Sequence, residues 1–281
     1  MTTPFTHDFT DKVVVLTGAG GVLISYFAKE YARAGAKVAL LDLNEEAAQQ
    51  HADEINESGG TAYAYKCNVL EKANIEAVRD QIEKDLGTAD ILINGAGGNN
   101  ARATTDNEFH EVDGLEGLKT FFDLDEDGIS FVFNLNFLGT LLPTQVFAKD
   151  MIGKEGASIL NISSMNGFTP LTKIPAYSGA KAAISNFTEW LAVHFSHVGI
   201  RVNAIAPGFL VSNQNRSLLF KEDGEPTERA NKILNNTPMG RFGEPEELIG
   251  GVLYLTDEQA SSFVNGVVLA IDGGFNAYSG V

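Results

Sequence analysis

The chain has 281 residues, of which 44% are hydrophobic and 20% charged, a composition typical of one globular domain with an ample core. Its formal net charge of −17 argues against nucleic acids and anionic membrane surfaces as partners. A single cysteine, Cys67, excludes an internal disulfide, suits a reducing compartment, and is interpreted as a small apolar residue at a strand end.

Short β-branched runs alternate with longer helical patterns up to Asn94. The predicted strands are KVVVLT (12–17), KVALLD (37–42), TAYAYKC (61–67) and DILIN (90–94). The predicted helices between them cover 22–34, 44–58 and 71–86. Near-continuous apolar strands that alternate with helices indicate a parallel sheet covered on both faces.

Two polar excursions interrupt this alternation, at about 97–128 and 209–240. We predict the first as a loop insertion with a short helix around 114–121, and the second as irregular. The regular elements around them are strands at 158–163, 200–206 and 266–272 and helices at 130–151, 176–197 and 244–256. Excursions of this length in a compact domain are usually functional.

Targeting and metal-binding signals are weak. The first twelve residues lack the basic region and apolar run of a signal peptide, and no apolar stretch reaches the roughly 20 residues of a membrane span. We therefore predict a cytoplasmic protein that does not bind membranes. His194 and His197 lie one helical turn apart, but no third ligand is evident, so we predict no metal site.

A serine, a tyrosine and a lysine form the most informative pattern in the chain. Tyr177 and Lys181 are four residues apart in a predicted helix and therefore share one face, thirteen residues after Ser164. A lysine ammonium near a phenol favours phenolate, which predicts a lowered tyrosine pKa and a group able to exchange protons with a carbonyl or alcohol oxygen. The alternative is a chance pair on an exposed helical turn.

A glycine turn follows the first predicted strand. TGAGG (17–21) joins strand to helix, which lets backbone N–H groups approach a pyrophosphate; the alternative is a turn that needs glycine for conformation alone. Asp42 ends the second strand, where an acid binds the adenosine ribose in dinucleotide folds and repels a 2′-phosphate. We therefore predict NAD(H) in preference to NADP(H). Asp42 is alternatively a helix N-cap, a position for which Asn44 is equally suited.

Seven segments together give the chain its resemblance to the short-chain dehydrogenase/reductase family, over essentially its whole length. They are TGAGG (17–21), NGAG (94–97), NLNFLG (134–139), NISSM (161–165), YSGAK (177–181), APG (206–208) and DGG (272–274). The resemblance implies one α/β domain over 1–281, with a Rossmann-like, doubly wound, parallel seven-stranded sheet. It also implies a homotetramer assembled through the helices near 130–151 and 176–197.

The resemblance also implies roles for individual residues. Tyr177 would be the acid/base, Ser164 would orient the reacting oxygen, Lys181 would tune the tyrosine and bind the nicotinamide ribose, and Asn136 would hold a helix kink and a proton-relaying water. The implied cofactor-binding residues are Thr17, Gly18, Gly20, Gly21, Val22, Leu23, Asp42, Leu43, Asn68, Val69, Asn94, Gly95, Ala96, Tyr177, Lys181, Pro207, Gly208, Leu210 and Ser212.

One part of the chain departs from the family pattern. The pattern TGxxxGxG requires glycine at positions 22 and 24, where this chain has Val22 and Ile24. Missing glycines hinder close backbone approach to phosphate. We therefore expect the first helix to lie slightly further from the pyrophosphate than in relatives with both glycines.

Within the family, several stretches are similar to a sugar-acid branch, the D-mannonate oxidoreductases or fructuronate reductases. They are INGAGGNN (93–100), FFDLDEDG (121–128), FVFNLNFLGTLLPTQVF (131–147), SSMNGFTPLTKIPAYSGAKAA (163–183), APGFLVSNQNR (206–216), TPMGRFGEPEEL (237–248) and IDGGFNAYSGV (271–281). This resemblance implies reversible hydride transfer between NADH and the ketone of D-fructuronate, an anionic small molecule. The predicted substrate-binding residues are Ser164, Asn166, Tyr177, Arg102, Asn213 and Arg216.

The substrate carboxylate requires a cation, because the chain as a whole repels anions. Arg216 is the first candidate, Arg102 the second and Lys173 the third; for each of them the alternative is a solvated loop residue. Other readings of the whole chain remain open. They are a gluconate 5-dehydrogenase, a general 3-oxoacyl or polyol reductase, and a nucleotide-sensing protein without catalysis, which would not need the catalytic residues.

Overall fold

The computed structural model describes residues 7–212 and 216–280. Seven parallel strands form one sheet in the order β3-β2-β1-β4-β5-β6-β7. They are β1 (Val13–Thr17), β2 (Lys37–Asp42), β3 (Thr61–Lys66), β4 (Ile91–Asn94), β5 (Ser158–Ile162), β6 (Arg201–Pro207) and β7 (Val268–Ile271). The strand order reverses direction at β1, where β4 is its other neighbour, as in dinucleotide-binding sheets. The predicted Rossmann-like fold is confirmed.

Helices cover both faces of the sheet. They are α1 (Val22–Arg33), α2 (Glu45–Glu57), α3 (Lys72–Asp85), α4 (Glu126–Phe133), α5 (Gly139–Met151), α6 (Pro175–His194), α7 (Arg216–Leu219), α8 (Glu228–Asn235), α9 (Ile249–Thr256) and α10 (Glu258–Ser261). Strand side chains alternate between the faces, so Val14 packs in the core under α1, α2 and α9, whereas Val15 packs under α3, α5 and α6. Both faces of the sheet are thereby buried.

The first excursion differs from its prediction. No helix forms at 114–121, because Gly114 and Gly117 have φ angles of 83° and 79°, which lie outside the helical region. A short 3-10 helix instead spans Phe121–Asp123, and Thr120 and Asp123 cap it reciprocally. Helix α4 then begins at Glu126, and the Asp125 side chain caps it by accepting from the Gly128 N–H.

The second excursion is more regular than predicted. It contains the short helices α7 and α8, the second of which starts where the Thr227 side chain accepts from the Ala230 N–H. Ala230 and Ile233 pack with Leu219 and Phe242 in a small cluster separate from the main cores. The polar face of α8 conceals this pattern in the sequence, because only two of its eight residues are buried.

One long helical segment carries the NLNFLG motif. It runs from Glu126 to Met151 and includes a π-helical turn at Asn134–Leu138 between α4 and α5. By length and composition these 26 residues could cross a membrane, with a mean hydropathy of 1.3 over the most apolar stretch. Half of that stretch is buried inside this fold, however, and buried core helices of globular proteins pass the same test. The predicted start at residue 130 was four residues late.

Candidate active site

A cavity of about 760 Å³ lies at the carboxyl edge of the sheet. Residues at or just beyond the ends of the first six strands line it, with contributions from the helices that follow. Parallel α/β sheets bind ligands at this edge, next to the strand where the order reverses. The lining residues from the predicted site are Gly18, Gly21, Val22, Leu23, Asp42, Leu43, Asn68, Val69, Gly95, Ala96, Ser164, Tyr177, Lys181, Pro207, Gly208, Leu210 and Ser212.

Ser164, Tyr177 and Lys181 meet at the wall of this cavity. Ser164 follows β5, and its Oγ accepts a hydrogen bond from the Asn166 N–H at 3.2 Å. Tyr177 and Lys181 lie on successive turns of α6, with the Lys181 Nζ 5.6 Å from the centre of the tyrosine ring. The structure thus brings together the three side chains that the sequence pattern singled out.

The electrostatics of this group differ from the sequence argument. Burial raises the pKa of the Tyr177 phenol, and hydrogen bonding by Ser164 only partly opposes that effect. Burial also lowers the pKa of Lys181 to about 8, which weakens its preference for the charged form. The prediction of a lowered tyrosine pKa was therefore wrong for the protein alone, because desolvation of the phenol exceeds the opposing hydrogen bond with Ser164.

Lys181 is held by the end of strand β5. Its Nζ donates to the Ile162 carbonyl at 2.7 Å, and only 4% of the residue is exposed. A buried ammonium with one backbone acceptor retains further donors for a ligand, since a lysine carries three N–H bonds. The arrangement suits a group that binds a polar ligand within the cavity.

Asn136 occupies the π-helical turn and is fully buried. Its Nδ2 donates to the carbonyls of Val132 and Gly98, both at 2.8 Å, and its Oδ1 accepts from the Gly98 N–H at 3.3 Å. A Cβ at Gly97 would lie 2.7 Å from the Asn136 Oδ1 and 3.3 Å from the Lys181 Nζ. Asn136 therefore ties the loop after β4 to the helix, directly beside the lysine.

The glycine turn after β1 suits an anionic ligand. Gly18 has a φ of 71°, and a Cβ there would approach the Ala96 backbone to 2.9 Å. Gly21 occupies the N-cap of α1, where no side chain caps the first N–H groups. Uncapped N–H groups and the helix dipole favour a phosphate at such a position, and Val22 and Leu23 line the cavity there.

Ile24 has a structural partner that the sequence argument missed. A Cβ at Gly95 would lie only 2.2 Å from the Ile24 Cδ1 and 2.7 Å from the Thr17 carbonyl oxygen. The isoleucine side chain thus fills the space that any side chain at position 95 would need. Position 24 accommodates a bulky residue because position 95 is a glycine and has no side chain.

Asp42 is oriented by two backbone groups. Its Oδ2 accepts from the Gly20 N–H at 2.9 Å, and its Oδ1 accepts from the Asn44 N–H at 2.8 Å. The N-cap of α2 is Asn44, which accepts from the Ala47 N–H, so the alternative role of Asp42 as a helix cap is wrong. The carboxylate lies on the cavity wall next to the glycine turn.

Three predicted cofactor-binding residues do not line the cavity but support its wall. The Thr17 Oγ1 accepts from the N–H groups of Gly95 and Ala96 at 3.1 and 3.3 Å. The Gly20 N–H binds Asp42, and the buried Asn94 side chain donates to the side chains of Thr144 and Asn161 at 3.0 and 2.9 Å. Their contacts hold the loops after β1 and β4 in place.

Asn68 lines the cavity with an amide that is already engaged. Its Nδ2 donates to the Glu71 Oε1 at 2.7 Å, and its Oδ1 accepts from the Leu70 N–H at 3.1 Å. The carbonyl oxygen of an amide can accept a second hydrogen bond. Contact with an adenine therefore remains a prediction.

Further lining residues were not among the predicted site residues. They are Ile24, Cys67, Leu70, Gly97, Phe131, Leu135, Ile162, Ser163 and Phe209. Gly97 belongs to the NGAG motif and could have been predicted from that motif alone. Phe131 and Leu135 reach the cavity from the helical segment that follows the first excursion. Burial raises the pKa of the Cys67 thiol to about 12, as expected for an unreactive cysteine.

Beyond Ser164 and Tyr177, none of the predicted substrate-binding residues that the structure describes lines the cavity. Asn166 is 6% exposed, and its Oδ1 has no hydrogen-bond partner among the described residues. Arg102 forms ion pairs with Asp125 and Asp127 at 2.7 and 3.4 Å. The Arg216 guanidinium lies 5.2 Å from the centre of the Phe220 ring. Asn213 lies outside the described residues.

Comparison with known proteins assigns the family. A sequence profile of the short chain dehydrogenases matches residues 12–223. The chain belongs to this family. The short-chain dehydrogenases are oxidoreductases, and this chain is accordingly an oxidoreductase with the fold and the residue order of the family.

Individual relatives match this short-chain dehydrogenase along its whole length. An uncharacterised oxidoreductase of Haemophilus influenzae is 72% identical over 275 residues, covering 98% of this chain and 96% of its own. A crystal structure of a Haemophilus protein, provisionally named D-mannonate oxidoreductase and containing NAD, has 72% identity, a TM-score of 0.96 and 98% coverage of both chains. A gluconate 5-dehydrogenase of Burkholderia cenocepacia, in complex with NADP and tartrate, has 28% identity, a TM-score of 0.82 and coverages of 98% and 99%.

Proposed function

We propose that this protein is an NAD(H)-dependent oxidoreductase that interconverts D-fructuronate and D-mannonate. The observation that carries the proposal is the convergence of Ser164, Tyr177 and Lys181 on a cavity that is also lined by an uncapped helix terminus and the Asp42 carboxylate. The 72% identity to a provisionally named D-mannonate oxidoreductase supports the choice of substrate.

In the proposed reaction each side chain has a distinct task. A bound NADH would supply the hydride. Tyr177 gives its hydroxyl proton to the ketone oxygen, and its raised pKa keeps that proton in place until the substrate is bound. The Ser164 hydroxyl donates to the same oxygen and aligns it. Lys181 binds the nicotinamide ribose with the N–H bonds that Ile162 leaves available.

Asn136 supports this group from the helix. Its amide holds the backbone at Gly98 in position, next to the Lys181 ammonium. A water bound between the asparagine turn and the lysine would return a proton to Tyr177 after each turnover. This role remains a proposal that rests on the family resemblance.

The preference for NAD(H) rests on Asp42. Its carboxylate is fixed by Gly20 and Asn44 at the wall, so it can accept hydrogen bonds from the hydroxyls of the adenosine ribose. A 2′-phosphate at that ribose would face the same carboxylate and be repelled. The uncapped N–H groups after Gly21 would bind the pyrophosphate.

The sugar hydroxyls and the carboxylate require polar partners near Ser164. Asn166 supplies a buried amide oxygen two residues from Ser164 that can accept from a substrate hydroxyl. Arg102, Asn213 and Arg216 are proposed to complete the substrate site from the two excursions. Since the chain carries a net charge of −17, a local cation must attract the substrate anion.

A substrate panel tests the proposal. NADH oxidation is followed with D-fructuronate, 5-keto-D-gluconate, a neutral ketose and a 3-oxoacyl thioester. The highest kcat/KM is expected with D-fructuronate. With that substrate, kcat/KM should be higher with NADH than with NADPH. A higher kcat/KM with 5-keto-D-gluconate would instead favour a gluconate 5-dehydrogenase, an alternative supported by the structural similarity to the Burkholderia enzyme. The absence of turnover with every ketone would favour a nucleotide sensor.

We further propose that the protein is a cytoplasmic homotetramer. The segment from α4 to α5 exposes Phe133 and Leu138, and α6 exposes Trp190 and Val193, the last with 77% of its surface accessible. Apolar side chains clustered on two neighbouring helices favour burial against a second copy. Sedimentation velocity measures the assembly, and a monomer at micromolar concentration would contradict it.

A further inference from the structure

Lys173 has an unusual backbone conformation. Its φ is 72°, and within residues 7–212 and 216–280 only Asp11 shares a positive φ among the non-glycine residues. A side chain with a Cβ disfavours this region, and such outliers concentrate where a ligand is held. The Thr105 N–H donates to the Lys173 carbonyl at 2.8 Å, which fixes this conformation against the first excursion.

The lysine lies where three segments from the cavity wall converge. The first leaves the wall at Gly97 after β4, the second at Ser164 after β5, and the third at Ser212 after β6. Lys173 belongs to the second segment, four residues before Tyr177. The Lys232 Nζ of α8 pairs with the Glu108 Oε1 at 2.9 Å, which joins the third segment to the first.

One lysine at this junction has no ion-pair partner among the described residues. Lys232 lowers the pKa of Glu108, and the nearby charge of Lys173 lowers it further to a smaller degree. Glu108 is thus already paired with Lys232, and the Lys173 ammonium forms no hydrogen bond or ion pair with any described residue. Lys232 also pairs with Glu228 at 3.7 Å, so both carboxylates of the junction are taken up by Lys232.

The other two candidate cations are engaged. Arg102 binds Asp125 and Asp127, which stand at the beginning of α4, so its charge is already neutralised. Arg216 is exposed and packs its guanidinium over Phe220. By contrast, Lys173 is partly buried and lies on the segment that joins the catalytic serine to the catalytic tyrosine.

We propose that Lys173 determines specificity for an anionic substrate by binding its carboxylate. This assignment rests on the proposed reduction of a sugar acid, and it places Lys173 ahead of Arg216 and Arg102 in that role. The left-handed backbone, held by the Thr105 N–H, places Lys173 in the loop between Ser164 and Tyr177, at the junction of three segments that begin at the cavity wall. Within a strongly acidic chain, this unpaired cation provides the local attraction that an anion requires.

The test compares Lys173→Asn with Lys173→Arg. Asparagine tolerates a left-handed backbone and removes the charge, whereas arginine keeps the charge. Lys173→Asn should raise the KM for D-fructuronate roughly 10–100-fold, the range for loss of a charged hydrogen-bonding partner. The kcat at saturation and the affinity for NADH should stay within about twofold, because neither depends on the carboxylate contact. Lys173→Arg should restore most of the KM.

D-Fructose provides the matched neutral substrate, since it replaces the carboxylate of D-fructuronate by CH₂OH. Lys173→Asn should leave its kcat/KM unchanged; an equal loss on both substrates, or an unchanged KM for D-fructuronate, would overturn the assignment. Lys173→Gly relieves the backbone strain, so it should match the wild type in thermal stability while showing the same rise in KM. If the wild type fails to reduce D-fructuronate, the proposed function itself is wrong, an outcome distinct from an unaffected Lys173→Asn.

Discussion

Lys181 should make the free protein less stable at neutral pH. Burial lowers its pKa from 10.5 in the unfolded chain to about 8 in the folded one. The unfolded state therefore binds more protons between pH 8 and 10.5, so the stability of the wild type rises with pH across that window. At pH 7 the shift of about 2.5 pKa units corresponds to about 3 kcal/mol of destabilisation.

Lys181→Met removes the buried charge and fills a similar volume. The variant also removes the hydrogen bond to the Ile162 carbonyl. That loss offsets about 1 kcal/mol of the stability gained by removing the buried charge. We therefore expect Lys181→Met to be about 2 kcal/mol more stable than the wild type at pH 7, without cofactor. The advantage should disappear as pH rises towards 10.5, while turnover is lost at every pH.

Urea denaturation of both proteins between pH 7 and 10 measures this difference directly. Other titrating groups are common to the two proteins and cancel in the comparison. Lys181→Gln serves as a matched polar control that keeps a donor for the Ile162 carbonyl. A Lys181→Met variant that is less stable at pH 7, or a difference independent of pH, would show that the lysine is not a buried destabilising charge.

Four further variants test the remaining parts of the site. Tyr177→Phe should reduce kcat about 10²–10⁴-fold and leave NADH binding nearly intact in a fluorescence titration, and a wild-type kcat would place the proton donor elsewhere. Asp42→Ala should raise kcat/KM with NADPH relative to NADH; the prediction fails if the wild type already prefers NADPH. Gly95→Ala places a Cβ 2.2 Å from Ile24 and should destabilise the fold by about 1–3 kcal/mol in urea denaturation. Ile24→Ala should recover part of that loss, and strictly additive effects of the two changes would contradict the contact.

The positions of the strands along the chain and of the candidate catalytic side chains follow from short local patterns. Apolar runs bounded by glycine turns predict β1 to β6 closely, and the helical spacing of Tyr177 and Lys181 places both on the cavity wall. Such features depend on a few neighbouring residues, which is why the sequence alone reveals them. The burial of Lys181, which lowers its pKa, depends on the packing of distant segments and could not be predicted from local patterns.

The structures of the two excursions could not be predicted from local sequence patterns either. Helix α8 has only two buried residues, so its apolar periodicity is too weak to indicate a helix. The segment at 114–121 contains apolar residues at helical spacing, but the left-handed glycines Gly114 and Gly117 prevent the helix. The complementarity of Ile24 with Gly95 joins residues that are 71 positions apart, and it emerges only when β1 and β4 are paired. These features are set by tertiary contacts.

The π-helical turn at Asn134–Leu138 has a consequence for the loss of residues in evolution. A π turn amounts to one extra residue in an α-helix, and each residue of a helix turns the chain by roughly 100°. Deletion of any one residue in this turn would produce a regular helix while rotating α5 relative to α4. The buried face of α5, with Val146 and Phe147, would then point away from the sheet. Homologues should therefore vary in length within the exposed 109–118 stretch and keep their length through the turn.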